Sequence, residues 1–277
     1  MKPGNRPSDG GGANSCRKEF LRDKGVPEFF STYALIGRFY FKHREVFMLL
    51  PRVPVEISYR QVLRSLGTTE KQRVHPDLQD QINQMILLGK SLCHPAATLA
   101  QVPVVLEGER LSLGGVAFDL PELNKTLKGC TAVSVAAVTV GETIDREVEQ
   151  LFQTGQATRA VILDAVGTVA AEEAANQVIK LLSGQQKVKG LYPTPRLGPG
   201  YRGVKMDCLP LFLRLADSEQ ISVTCNEYFQ MNPVKSLCFA VGWSPVQQKD
   251  TEKCNFCQQG NCPYRAVRTE GENGVVF

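Results

Sequence analysis

The sequence has no long apolar run. Its best stretch, Thr131 to Val140, is ten residues long and contains threonines and a serine, well short of the roughly 18 that a membrane-spanning helix needs. A block of like charge is missing too: 32 basic and 28 acidic residues are interleaved along 277 positions for a net charge of +4, which leaves no basic stripe for nucleic acid. No Gly-x-Gly-x-x-Gly follows a strand pattern and no Walker phosphate loop occurs, so nicotinamide and ATP chemistry lose their usual carriers. Histidine is scarce, and His43, His75 and His94 show no spacing that suggests a metal pair or a catalytic dyad. The polar, Gly-rich segment from Met1 to Ser15 lacks the apolar core of a secretory signal. These absences lead to the expectation of a soluble, cytoplasmic protein that engages neither membrane nor nucleic acid.

The chain carries 43% apolar and 22% charged residues, enough for one substantial core. Residues 1–50 are expected to form a partly disordered N-terminal extension. Order is expected to begin near Val53, in a domain spanning 51–245, followed by a Cys-rich tail over 246–277. Ser58 to Gly67 has a polar cap, apolar residues at helical spacing and a closing glycine, so it predicts a short helix. His75-Pro76 opens a second helix through Leu87. Short apolar pieces between Val102 and Leu120 predict strands joined by tight turns. Cys130 to Val140 predicts a buried central strand, Gly141 to Phe152 a helix, and Ala157 to Leu182 a long Ala-rich helix. Beyond it, Leu209 to Leu215 reads as helix, and Ile221 to Thr224 and Ser236 to Gly242 read as strands. This irregular order predicts an α+β fold, a mainly antiparallel twisted sheet flanked by helices, in place of a doubly wound parallel one.

The most informative segment is Tyr192 to Gly203. Three prolines fix backbone angles while three glycines remove side chains, giving a shaped loop whose main chain a ligand can approach closely. Arg196 adds a fork of donors suited to a carboxylate, and Tyr201 an aromatic body with a polar tip. A solvated surface turn is the alternative. Asp164 and Glu172, eight residues apart on the long helix, present two carboxylates on neighbouring faces. They would serve either as ligand contacts or as salt-bridge partners.

Arg196, Pro199, Gly200 and Tyr201 match the arginine, proline, glycine and tyrosine of the activation-domain signature of cobalamin-dependent methionine synthases. Cys225 to Pro233, containing Glu227, resembles that family's segment of acid, aromatic, methionine and proline. Leu163 to Thr168 with Glu172 is similar to the helix preceding the loop in stand-alone members. The resemblance covers most of Val53 to Arg265. Two departures stand out: Gly190-Leu191-Tyr192 replaces the acidic residue expected shortly before the arginine, and a cysteine cluster replaces the terminal tyrosine-bearing segment.

The resemblance implies binding of S-adenosylmethionine by Arg196, Gly198, Pro199, Gly200, Tyr201 and Glu227, with Tyr201 acting at the corrin face during methyl transfer. The implied function is reductive methylation of cobalamin in methionine synthase activation. No Asp-x-His-x-x-Gly stretch of a cobalamin-binding domain occurs, so the corrinoid would arrive on a corrinoid-binding protein or the methionine synthase core. A flavodoxin or ferredoxin would supply the electron.

Of the nine cysteines, Cys254, Cys257 and Cys262 lie within nine residues of a polar tail. That spacing suits tetrahedral zinc or an iron–sulfur cluster, with Cys238, Cys225, water or a partner supplying the fourth ligand, or else free or redox-reactive thiols. Cys16, Cys93, Cys130 and Cys208 are expected to be small buried hydrophobes. A competing function is a non-catalytic, metal-containing adaptor or electron-transfer module for a corrinoid protein.

Overall fold

The computed structural model describes residues 32–34, 37–42, 45–68, 73–107, 110–118, 121–200 and 204–247. A nine-stranded antiparallel sheet organises them. Strands β1 (Thr32–Ala34), β2 (Gly37–Lys42) and β3 (Glu45–Leu50) form a meander leading into β4 (Ala96–Glu107). The long β4 also pairs with β5 (Arg110–Leu113), which continues to β6 (Val116–Phe118). Next in the sheet come β7 (Ala132–Thr139), β11 (Ser236–Ser244) and the two-residue edge β8 (Tyr192–Pro193). A separate hairpin joins β9 (Thr224–Cys225) to β10 (Met231–Asn232).

Among the described residues six α-helices accompany the sheet: α1 (Tyr59–Ser65), α2 (Pro76–Leu92), α3 (Pro121–Leu127), α4 (Thr143–Gln153), α5 (Ala157–Lys187) and α6 (Leu209–Ala216). Ser58 begins α1 with a capping box to Gln61. His75 caps α2, its Nδ1 accepting from the Asp77 N–H at 3.4 Å, so that histidine has a structural task.

Strand alternation sorts the core into two faces. Val133, Val135 and Ala137 of β7 and Cys238 and Ala240 of β11 point to α6, where Phe212 is fully buried. Ala136 and Val138 of β7 and Phe239, Val241 and Trp243 of β11 point to α5, meeting Ala174, Ala175, Val178 and Leu182. A third cluster joins α1, α2 and α4 to the first half of α5. Alanines and Gly167 along α5 allow that close packing, and Gly89 of α2 lies directly against Val166.

The α+β class and antiparallel sheet match the expectation. Several details correct it. Strand β3 joins the sheet by pairing with β4 over five residues. Its Phe47, Met48 and Leu50 are buried towards both faces, which erases the alternation that would have marked a strand. The strand expected from Ile221 to Thr224 begins only at Thr224, as β9, because the 3-10 turn Ser218–Ile221 and the left-handed Ser222 precede it. Left-handed Asp217 and Ser222 bracket that turn, and the Ser218 hydroxyl donates to the Val223 carbonyl at 2.7 Å. Helix α3 carries no clear periodic signal, being only seven residues long. Among the described residues no helix is long and apolar enough to cross a membrane.

Candidate functional site

The Pro- and Gly-rich segment after α5 is the far edge of the sheet. Gly190 turns the chain at φ +71°, and Tyr192 and Pro193 then pair with Ser244 and Trp243. The Thr194 N–H donates to the Gly242 carbonyl at 2.8 Å, and the Gly242 N–H donates to Thr194 Oγ1 at 2.9 Å. The Leu197 N–H donates to the Ala240 carbonyl at 2.9 Å, and Ala240 returns a bond of 2.7 Å. Prolines at 193 and 195 are tolerated because an edge strand needs donors on one side only. Gly242 must lack a side chain: a Cβ there would lie 2.6 Å from Cys130 Sγ and from Leu127 Cδ2.

This edge pairing orients Arg196. Leu197 is fully buried in the layer under α6, so Arg196 projects towards α5. Its guanidinium lies over the Phe239 ring, 5.5 Å from the centroid, a favourable cation–π placement. Arg196 Nη2 donates to Glu172 Oε2 at 2.6 Å; the arginine side chain is 9% exposed and the glutamate 39%. A charge-assisted bond of this length is strong, and a guanidinium so buried requires a partner. It is the one hydrogen bond Arg196 makes among the described residues, so other donors of its fork remain.

A second ion pair lies at the start of β11. Lys235 Nζ donates to Asp164 Oδ1 at 2.6 Å, with side-chain exposures of 11% and 50%. The lysine stem passes over Gly167, where a Cβ would sit 3.1 Å from Lys235 Cγ. Asp145, in the first turn of α4, accepts from the Val234 N–H at 3.0 Å and holds the turn that presents Lys235. Asp164 and Glu172 thus sit about 12 Å apart along α5, each engaged with a cation from the sheet side.

Past Arg196, Gly198 is buried and Gly200 takes φ +88° with its N–H donating to the Val204 carbonyl at 2.9 Å. A Cβ on Gly200 would meet Met206 Sδ at 2.7 Å, so the turn depends on glycine there. Tyr201 lies outside the described residues, as do Cys16, His43, Cys254, Cys257 and Cys262. Glu227 is exposed at the turn of the β9–β10 hairpin, whose Cys225, Phe229 and Met231 pack on the α6 side. Among the described residues no hydrogen bond or ion pair joins Glu227 to the Arg196 loop.

The described cysteines behave as core residues. Burial pushes the Cys93 and Cys130 thiols up to about 11. Cys238 is driven further up by complete desolvation and by its neighbour Cys225. Among the described residues no group of three or more His, Cys, Asp or Glu stands close enough to hold a metal. Phe239, central to the site's geometry, carried no sequence signal beyond membership of a strand pattern, and Lys235, just before that strand, carried none.

No family model matches the sequence, and no curated protein sequence matches it. Among solved structures, the crystal structure of the MetH reactivation domain bound to AdoHcy is similar, with a TM-score of 0.51 and 14% identity, over 70% of this chain and 72% of that one. The chain therefore shares the α+β fold of that reactivation domain. At this identity the likeness is one of fold.

Proposed function

We propose that the chain binds S-adenosylmethionine at the Arg196 loop and supports reductive methylation of a cobalamin carried by a partner protein. The observation that carries this reading is the Arg196–Glu172 pair at 2.6 Å on an aromatic floor, on a fold shared with a reactivation domain bound to AdoHcy. A guanidinium beside a half-exposed carboxylate is complementary to the amino-acid end of such a ligand: Arg196 takes the α-carboxylate and Glu172 the α-ammonium. Gly198, Pro199 and Gly200 let the ligand approach the main chain closely. Tyr201, by the family resemblance, faces the corrin. Asp164 is engaged by Lys235, and Glu227 belongs to the opposite layer, so both fit a supporting role better than direct contact.

The ligand supplies the methyl group and the partner's corrinoid accepts it at cobalt, together with one electron from a flavodoxin- or ferredoxin-like donor, leaving S-adenosylhomocysteine. The chain contributes position rather than acid–base chemistry. Calorimetry with S-adenosylmethionine tests the assignment: Arg196→Ala is expected to weaken binding by about 2–4 kcal/mol in a protein that still folds. Unchanged affinity in that variant would remove the basis of the reading.

The tail reading adds a zinc or iron–sulfur site on Cys254, Cys257 and Cys262. Cys238 fits poorly as its fourth ligand, because it is sealed under α6; the half-buried Cys225 fits better. Elemental analysis of anaerobically purified protein should find metal in the wild type and lose it in the triple serine variant. Equal, negligible metal in both would reject this part alone.

A further inference from the structure

A guanidinium carries its N–H donors around its edge and none on its faces. At Arg196, Glu172 Oε2 takes the Nη2 edge at 2.6 Å, and the ring of Phe239 takes a face, its centroid 5.5 Å from Cζ. The arginine side chain is thereby only 9% exposed, with donors left in its plane. Those donors serve a ligand carboxylate best when the plane is already held still, because ordering a long, freely rotating side chain on binding costs affinity.

The sheet builds this stack. Arg196 precedes Leu197 and Phe239 precedes Ala240, and Leu197 and Ala240 exchange two main-chain hydrogen bonds of 2.9 and 2.7 Å. That bridge fixes both side chains at their bases. Packing alone does not call for a ring here: Val241, the next residue on the same face of β11, meets the α5 layer with an aliphatic side chain. Nor does burial of a cation, since Lys235 is 11% exposed and paired at the same 2.6 Å, yet its stem rests on Gly167. What a ring supplies and an aliphatic side chain does not is the negative potential of its face, whose attraction for a cation grows as the cation is desolvated.

We propose that Phe239 is a positioning residue of the S-adenosylmethionine site: the charge distribution of its ring, not its volume, holds the Arg196 plane so that the free edge of the fork is set for the ligand carboxylate before the ligand arrives. The inference rests on the S-adenosylmethionine reading and adds to it a residue that touches no ligand.

Fluorination drains the negative face of a phenyl ring stepwise while nearly keeping its shape. The test is therefore a series of full-length chains with mono-, di- and trifluorinated phenylalanine placed site-specifically in the position of Phe239, and with cyclohexylalanine as an aliphatic ring of similar volume. Calorimetry should show S-adenosylmethionine affinity falling stepwise, to about fivefold weaker with the trifluorinated ring, and at least as weak with cyclohexylalanine. Methylthioadenosine, the same nucleoside without the amino-acid end, should bind every member alike. Urea unfolding should show a small stepwise loss of stability in chains that all still fold. A flat S-adenosylmethionine series beside that stability loss would mean that the ring serves the fold alone, and overturns the proposal. So does cyclohexylalanine that leaves binding as tight as in the wild type, or equal weakening of both ligands. A wild-type chain that binds no S-adenosylmethionine is a different failure: it removes the ligand reading itself, and this inference with it.

Discussion

Two ion pairs tie α5 to the sheet, and their lengths are the same. Arg196–Glu172 and Lys235–Asp164 both close at 2.6 Å, each with a largely buried cation and a half-exposed carboxylate. Distance and burial therefore do not separate them. What separates them is the cation and its bed. Lys235 is a point charge whose stem packs on the bare backbone of Gly167 and whose turn is pinned by Asp145. Arg196 lies on the Phe239 ring with spare donors on a planar fork. The first arrangement fits a staple, the second a staple that can also hold a carboxylate.

The harshest way to break the comparison is to remove the platform. Phe239 is 1% exposed at the centre of β11, so Phe239→Ala is expected to cost about 3–5 kcal/mol of stability, measured by urea unfolding. A loss below about 1 kcal/mol would mean that the ring is not packed as the α5 layer requires. A gentler pair of changes sharpens the contrast by altering each cation in turn. Arg196→Lys should weaken S-adenosylmethionine binding by about 1–2 kcal/mol, because the fork is lost, whereas Lys235→Met should leave binding within a few-fold and cost under about 1 kcal/mol of stability. Comparable binding losses in the two variants would show that both pairs belong to one ligand site.

The sequence made both halves of one pair visible and only the carboxylate of the other. Asp164 and Glu172 stand out as carboxylates in an Ala-rich helix, and Arg196 as a cation amid prolines and glycines. Lys235 and Phe239 look like ordinary members of a strand region, because contacts 71 residues apart, as between Lys235 and Asp164, leave no local periodicity. The prolines at 193 and 195 mark an irregular segment correctly, but only the ladder to β11 reveals that the loop is a sheet edge. That pairing decides which way Arg196 points. Gln186 is legible as a polar residue near a helix end, where solvent is the default surrounding; its burial follows from β3 and β4 passing beneath it. Helix α5 and strand β11 were legible because length and composition alone specify them.

The smallest expected effect concerns the residue that pins the Lys235 turn. Desolvation raises the Asp145 carboxyl above its ordinary 3.8, helped by the nearby Asp164 carboxylate, against hydrogen bonds from the Val234 and Lys235 N–H groups and the Lys235 charge. Cys93 faces it as well, and its thiol is raised partly by that carboxylate. A group whose value is raised on folding contributes stability below its unfolded value and loses it as pH rises through the folded one. At neutral pH the ionised Asp145 is thus a slight liability, although the N-terminus of α4 works in the opposite direction. Asp145→Asn keeps an oxygen for the Val234 N–H and removes the charge. Thermal unfolding should show the variant slightly more stable than wild type at neutral pH, with the difference fading as pH falls below 3.8. If the variant is instead less stable at neutral pH and the gap closes in acid, the carboxylate's attraction to Lys235 and the helix end outweighs its desolvation, and the Lys235 staple is a three-charge device rather than a pair.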